Sequence, residues 1–106
     1  MFHTTLEQVP GYAVKEVIGI VRGNSVKAKW VGADFLSSIK NAVGGELQQY
    51  SRLMEEARQK AMADMDKDAE KFGANAVIGI RFQTSEIAKG AAEVLVYGTA
   101  VKLAKK

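Results

Sequence analysis

Two segments of this 106-residue chain, residues 12–22 and 91–103, carry apolar side chains at consecutive rather than alternate positions. Successive side chains of an extended strand point to opposite faces. Residues 12–22 therefore read as Val17 and Val21 on one face, Ile18 and Ile20 on the other. Residues 91–103 (AAEVLVYGTAVKL) set Val94 and Val96 against Leu95, Tyr97 and Val101. A sheet covered on one side only would alternate apolar with polar. These strands demand cover on both sides, and that requirement limits the architectures open to so short a chain.

One long helix is available to supply it. Residues 46–72 place Leu47, Tyr50, Met54, Ala57, Ala61, Met65, Ala69 and Phe72 at spacings of three or four, a single apolar stripe. Gly73 suits the left-handed residue that closes a helix. Gly44-Gly45 separates it from a shorter helix over residues 34–42, capped by Asp34 and apolar at Phe35, Leu36 and Ile39. Pro10-Gly11 marks a turn before the first strand, and Gly23-Asn24 a second turn before a short strand over 25–31. Residues 76–85 (AVIGIRFQTS) read as a strand, 86–90 as a tight connection and 91–103 as its hairpin partner. The order β, short β, α, α, β, β is an α+β fold in two layers, an antiparallel sheet packed by one long helix. A hydrophobic content of 47%, one proline and 25% charged residues suit one domain spanning residues 1–106. The tetrapeptide Val17-Ile18-Gly19-Ile20 recurs as Val77-Ile78-Gly79-Ile80, as adjacent, equivalent strands would show. Gly19, Gly79 and Gly98 lie inside strands and read as points of close approach by the helix or a neighbouring chain.

One layer of helices covers one face. The short helix or a second copy of the chain must cover the other, since a lone chain would expose a larger apolar patch than monomers usually do. Self-association is the expected solution, with Val17, Val94 and Val96 at the interface and Trp30, the single tryptophan, as an anchor.

The absence of cysteine excludes disulfides, thiolate metal sites and cysteine nucleophiles. His3 is the only imidazole, so a multi-histidine site requires a symmetric ring that gathers several copies of it. Met54 and Met65 fall on the core stripe, where methionine fills irregular gaps, and with Met62 they read as packing rather than copper ligands. Asp64, Asp66, Asp68 and Glu70 imitate the start of a calcium loop, but its sixth position is Ala69 rather than Gly and its twelfth is Asn75 rather than Glu. The stretch reads as a solvated helix face balanced by Lys60, Lys67 and Lys71, on which Asp64 and Asp68 could hold a divalent ion weakly. No nucleophilic triad, phosphate loop or dinucleotide fingerprint is present. Glu46 and Tyr50 share one side of the first helical turns and could form a polar ligand pocket between subunits with Arg22 or Arg81. The net charge of +3 owes much to Lys102, Lys105 and Lys106. Most other basic residues alternate with acids, which favours solubility over nucleic-acid binding. No apolar run reaches membrane-spanning length and the N-terminus lacks the pattern of a secretory signal, so a cytoplasmic protein without a membrane partner is expected.

Val43-Gly44-Gly45 with Tyr50, the run from Phe72 through Ile80 (FGANAVIGI), and Gly98-Thr99-Ala100-Val101 together resemble the YbjQ family of small bacterial and archaeal proteins. Thr4-Thr5 and Gly19-Ile20-Val21-Arg22-Gly23 also fit, so the resemblance runs nearly the whole chain. It implies a dodecin-subunit-like β-α-β-β arrangement with an extra short strand and short helix, assembled as a homopentameric ring, and it brings a heavy-metal-binding label. Three functions stay open: a ring-forming binding or assembly protein, a heavy-metal binder with sites shared between subunits, and a small enzyme with an intersubunit site.

Overall fold

The structure, a computed structural model, describes residues 1–28, 45–88 and 91–106. Strand β1 (Phe2–His3) is followed by β2 (Tyr12–Ala28), helix α1 (Gly45–Lys71), β3 (Ala76–Ala88) and β4 (Ala91–Lys105). They form one four-stranded sheet in the order β1-β3-β4-β2, with α1 on one face. The two-layer α+β architecture is the one expected. The sheet is mixed rather than purely antiparallel, because β1 runs parallel to β3, with Phe2 opposite Ala76 and His3 opposite Val77. The expected short helix, Trp30 and the end of the 25–31 strand lie outside the described residues, as do residues 89–90.

Met54, Ala57, Ala61, Met65 and Ala69 bury one stripe of α1 against Val21, Val77, Ile80, Ala92, Val94, Val96 and Ala100. Phe72 does not continue that stripe: the helix ends at Lys71, and Phe72 is exposed beyond it. On the outer face Arg58 and Lys60 pair with Glu55 and Asp64. Hydrogen bonds from Gln59 and then Arg58 hold the Glu55 carboxyl below its usual range.

Gly23-Asn24 is not a turn. β2 runs through it without interruption, in register with β4 from Gly19 opposite Ala100 to Ala28 opposite Ala91. The glycine serves close approach instead: a Cβ on Gly23 would lie 1.9 Å from the Ala61 carbonyl oxygen and 2.7 Å from the Met65 nitrogen. Small residues on α1 let its backbone press directly onto this strand. Gly98 is also closely packed, though by β3 rather than by the helix. A Cβ on Gly19 would meet nothing within 4 Å and one on Gly79 only Glu7 Cγ, at 4.0 Å; both have positive φ and sit at register shifts, where a bulge needs a conformation that L side chains rarely adopt. The two copies of the repeated tetrapeptide are not neighbours. They flank β4 on either side, Gly19 and Val77 both opposite Ala100. The bulge also changes the phase of β2. Val21 points under the helix and Val17 away from it, where the simple alternation put them together.

The face opposite α1 is covered in part by the N-terminal segment: Val9 packs with Leu103 over Ala76, Ile78 and Val101. Elsewhere none of the described elements covers it, and Tyr12, Val14, Val17, Ile20, Val26 and Tyr97 are exposed along it. On the helix side α1 lies over β2 and β4 and packs on β3 only through its first half, at Val77 and Ile80. Residues 81–88 are consequently exposed on both faces. The chain extends 52 × 23 × 15 Å with a radius of gyration of 16.8 Å, against about 13 Å for a compact domain of about 100 residues.

Replacing Gly23 by Ala forces a methyl group into a backbone contact. It is expected to cost about 3 kcal/mol or more, whereas Asn24→Ala, at an exposed neighbour, should stay within about 0.5 kcal/mol. Urea unfolding of both variants at one fixed protein concentration checks this; equal tolerance at the two positions would contradict the close contact.

Candidate functional site

The open face of the sheet gathers polar groups that lie far apart in the chain. Arg22 on β2 and Arg81 on β3 both stand directly opposite Tyr97 on the intervening β4. Directly opposed residues share a face and strands lie about 4.8 Å apart, so Tyr97 stands between the two arginines in one row. Arg81 Nη1 donates to the carbonyls of Thr5 (3.1 Å) and Ile80 (2.8 Å), which anchors it to the N-terminal segment. The next row on one side is Asn24, Leu95 and Gln83; on the other, Ile20 and Ile78 flank Thr99. Neither row contains an acid. Glu93 accepts a hydrogen bond from Asn24 Nδ2 at 3.3 Å.

The expected ligand set is thereby divided. Arg22 and Arg81 come together, while Tyr50 is half-buried against the core on the other side of the sheet. The side chain of Glu46, in the first turn of α1, lies outside the described residues. Tyr97 was not among the expected site residues, because only the register of three strands reveals that it sits between the arginines. Among the expected interface residues, Val94 and Val96 are fully buried beneath the chain's own helix, which accounts for their apolar surface without a partner. Val17 is 66% exposed on the open face, and Trp30 lies outside the described residues.

The candidate metal ligands do not converge. His3 is not a loose terminal residue: its Nε2 lies 2.6 Å from Asp66 Oδ1, which ties β1 to the helix. Asp64 is paired with Lys60 at 3.1 Å. Asp64 and Asp68 line an open groove of about 700 Å³ at the β2 edge, together with Arg22, Lys67, Lys71 and Glu93. Positive and negative groups are interspersed along it. Among the described residues no three His, Asp or Glu side chains come together as a metal would require. Soft metals favour thiolate or clustered imidazole, and Met54 and Met65 are buried in the core. The described residues of one chain therefore do not fit a heavy-metal centre.

A family model described as "Putative heavy-metal-binding", YbjQ, matches residues 1–104. The chain belongs to the YbjQ family. A UPF0145 protein of Thermotoga maritima is 53% identical over 105 residues, covering 99% of each chain. One of Thermus thermophilus is 49% identical over 100 residues, 94% of this chain and 88% of that one. One of Archaeoglobus fulgidus is 51% identical over 100 residues, 94% and 93% of the two chains, so the family spans bacteria and archaea. A crystal structure of a protein of unknown function from Pediococcus pentosaceus, placed in the DUF74 family, superposes with a TM-score of 0.60. It covers 98% of each chain at 23% identity and supports the fold. Among the described residues, no helix is long and apolar enough to cross a membrane.

Protein purified without a polyhistidine tag and dialysed is expected to carry no stoichiometric zinc or copper by plasma mass spectrometry. One ion per chain or per assembly would show that ligands from neighbouring copies complete a centre that one chain lacks.

Proposed function

We propose that this protein is a ring-forming, cytoplasmic homo-oligomer, pentameric as the family resemblance implies. It would act as a binding or assembly protein with a ligand held at the boundary between copies. One observation carries the reading: Ile20 is 81% exposed and Val17 66% exposed, within a continuous apolar strip on the open sheet face. Leaving such a side chain in water forgoes roughly 1.5–3 kcal/mol each, and the described residues place none of the chain's own elements over this strip. A second copy is the occupant available in the same solution.

The row Arg22, Tyr97 and Arg81 lies on that face. Two guanidinium groups with no acid in their own row suit a small oxyanion, a phosphate or a carboxylate, with the phenol hydroxyl as a further donor and with Asp64, Asp68 and Glu93 in the groove beside Arg22 as competing partners. The chemistry is recognition; the row contains no group suited to act as a base or nucleophile at neutral pH.

Native mass spectrometry and sedimentation equilibrium at micromolar concentration are expected to show a particle of several chains. Ile20→Asp should shift it toward single chains. In a lone chain the same substitution, at so exposed a site, would change stability by no more than about 0.5 kcal/mol. A wild-type particle of single-chain mass that stays soluble would overturn the proposal.

A further inference from the structure

We infer that the two copies of the repeated tetrapeptide build a phosphate clamp: each carries a glycine bulge that turns one arginine onto the open face beside Tyr97. The inference rests on the oxyanion reading above and narrows it to the phosphate dianion, free or as the terminal group of a phosphate monoester.

The register shows what the bulges do. On β3, Ile78 is opposite Thr99 and Arg81 opposite Tyr97, so Gly79 and Ile80 together span the interval that Gly98 alone spans on β4. Without the extra residue Ile80 would stand opposite Tyr97, and Arg81 would turn to the helix side. Instead Ile80 is buried in the helix-side core and Arg81 is exposed. On β2, Val17 is opposite Val101 and Gly19 is already opposite Ala100, so Ile18 is the extra residue. The earlier register carried forward would set Val21 opposite Tyr97 and Arg22 opposite Val96, beneath α1. Instead Val21 is buried there and Arg22 stands opposite Tyr97. Successive residues of a strand alternate faces, so a shift of one residue decides the face of each arginine. Gly19 and Gly79 hold the bulges with φ of +143° and +62°, and bulges beside binding sites re-aim side chains in this way. The two lie on the strands that flank β4 and bring the same side chain to the same height, which local packing alone does not require.

The donors presented there select the ligand. Arg81 Nη1 donates to the Thr5 and Ile80 carbonyls at 3.1 and 2.8 Å. The hydrogens of Nε and Nη2 remain, a fork that grips two oxygens of one anion. Arg22 offers a second fork from the groove at the β2 edge. Its competitors there are Asp64, Asp68 and Glu93. Asp64 is already paired with Lys60 at 3.1 Å, and Lys67 and Lys71 line the same groove. A carboxylate has two oxygens and satisfies one fork. Two forks and a phenol hydroxyl call for more oxygens and more charge, and a phosphate dianion brings both. The arginine backbones lie about 9.6 Å apart across β4, with Tyr97 midway. A dicarboxylate could bring one carboxylate to each arginine, but it would lay its methylene chain over the phenol. Tyr97 therefore separates the two: a compact phosphate gives its hydroxyl an acceptor and a dicarboxylate does not.

Isothermal titration calorimetry of the whole chain tests the clamp with inorganic phosphate, glycerol 3-phosphate, acetate and succinate. It is run at low salt and about pH 7.5, above the second phosphate pKa of about 6. Phosphate or its ester is expected to bind at least about tenfold tighter than either carboxylate, and the tighter of the two names the source of the phosphate group. Arg22→Lys and Arg81→Lys keep the charge and lose the fork; each should weaken phosphate binding about tenfold or more. Tyr97→Phe should weaken it several-fold, and Arg58→Lys, on the outer face of α1, should leave it unchanged. Gly79→Ala should weaken it and Gly79→Asn should keep it, because asparagine adopts the left-handed conformation more readily than alanine. Where Gly79→Ala does not fold, the lysine and phenylalanine variants carry the test. Acetate or succinate binding as tightly as phosphate overturns the phosphate assignment and leaves an oxyanion site standing. An equal loss in Arg58→Lys marks general charge attraction and overturns the clamp. A folded Gly79→Ala with unchanged affinity overturns the role of the bulge. No binding of any of the four anions at millimolar concentration overturns the oxyanion reading together with this one and leaves self-association, which native mass reports, untouched.

Discussion

The contact of the α1 backbone with Gly23 sets the arrangement of everything around it. Ala57 and Ala61 bring the helix down far enough that its carbonyl touches the strand where β2 has no side chain. That contact seats the helix over an edge strand rather than over the middle of the sheet. Val94 and Val96 are covered as a consequence, and the second half of β3 is not. The extended shape follows from this offset: three long strands, one helix displaced to one side, and a strip of uncovered backbone on the other.

The apolar periodicity of residues 46–72 was legible from the sequence because a helix repeats its contacts locally, and its five buried positions fall where the spacing puts them. The hairpin of β3 and β4 was legible for the same reason. What failed was local grammar read without tertiary context. Gly23-Asn24 has the composition of a turn, but nothing in the dipeptide indicates that a helix 38 residues further along needs the missing Cβ. The phase of β2 was misjudged because a bulge at Gly19 adds a residue without leaving a distinctive mark beyond the glycine itself. β1, two residues long, owes its existence to β3 rather than to its own propensity.

The chemistry shows the same contrast. Asp64, Asp66 and Asp68 form a cluster in the sequence, yet on a helix two positions amount to a rotation of about 200°. The helix therefore sends Asp66 to His3 on one flank and Asp64 and Asp68 to the β2 edge on the other. The arginine row is the converse. Arg22, Arg81 and Tyr97 lie far apart in sequence and become neighbours through the register of three strands. A linear motif scan favours the acids and misses the row. The family's metal label meets the same difficulty, since the one imidazole is already engaged by a carboxylate and no second ligand set stands nearby among the described residues.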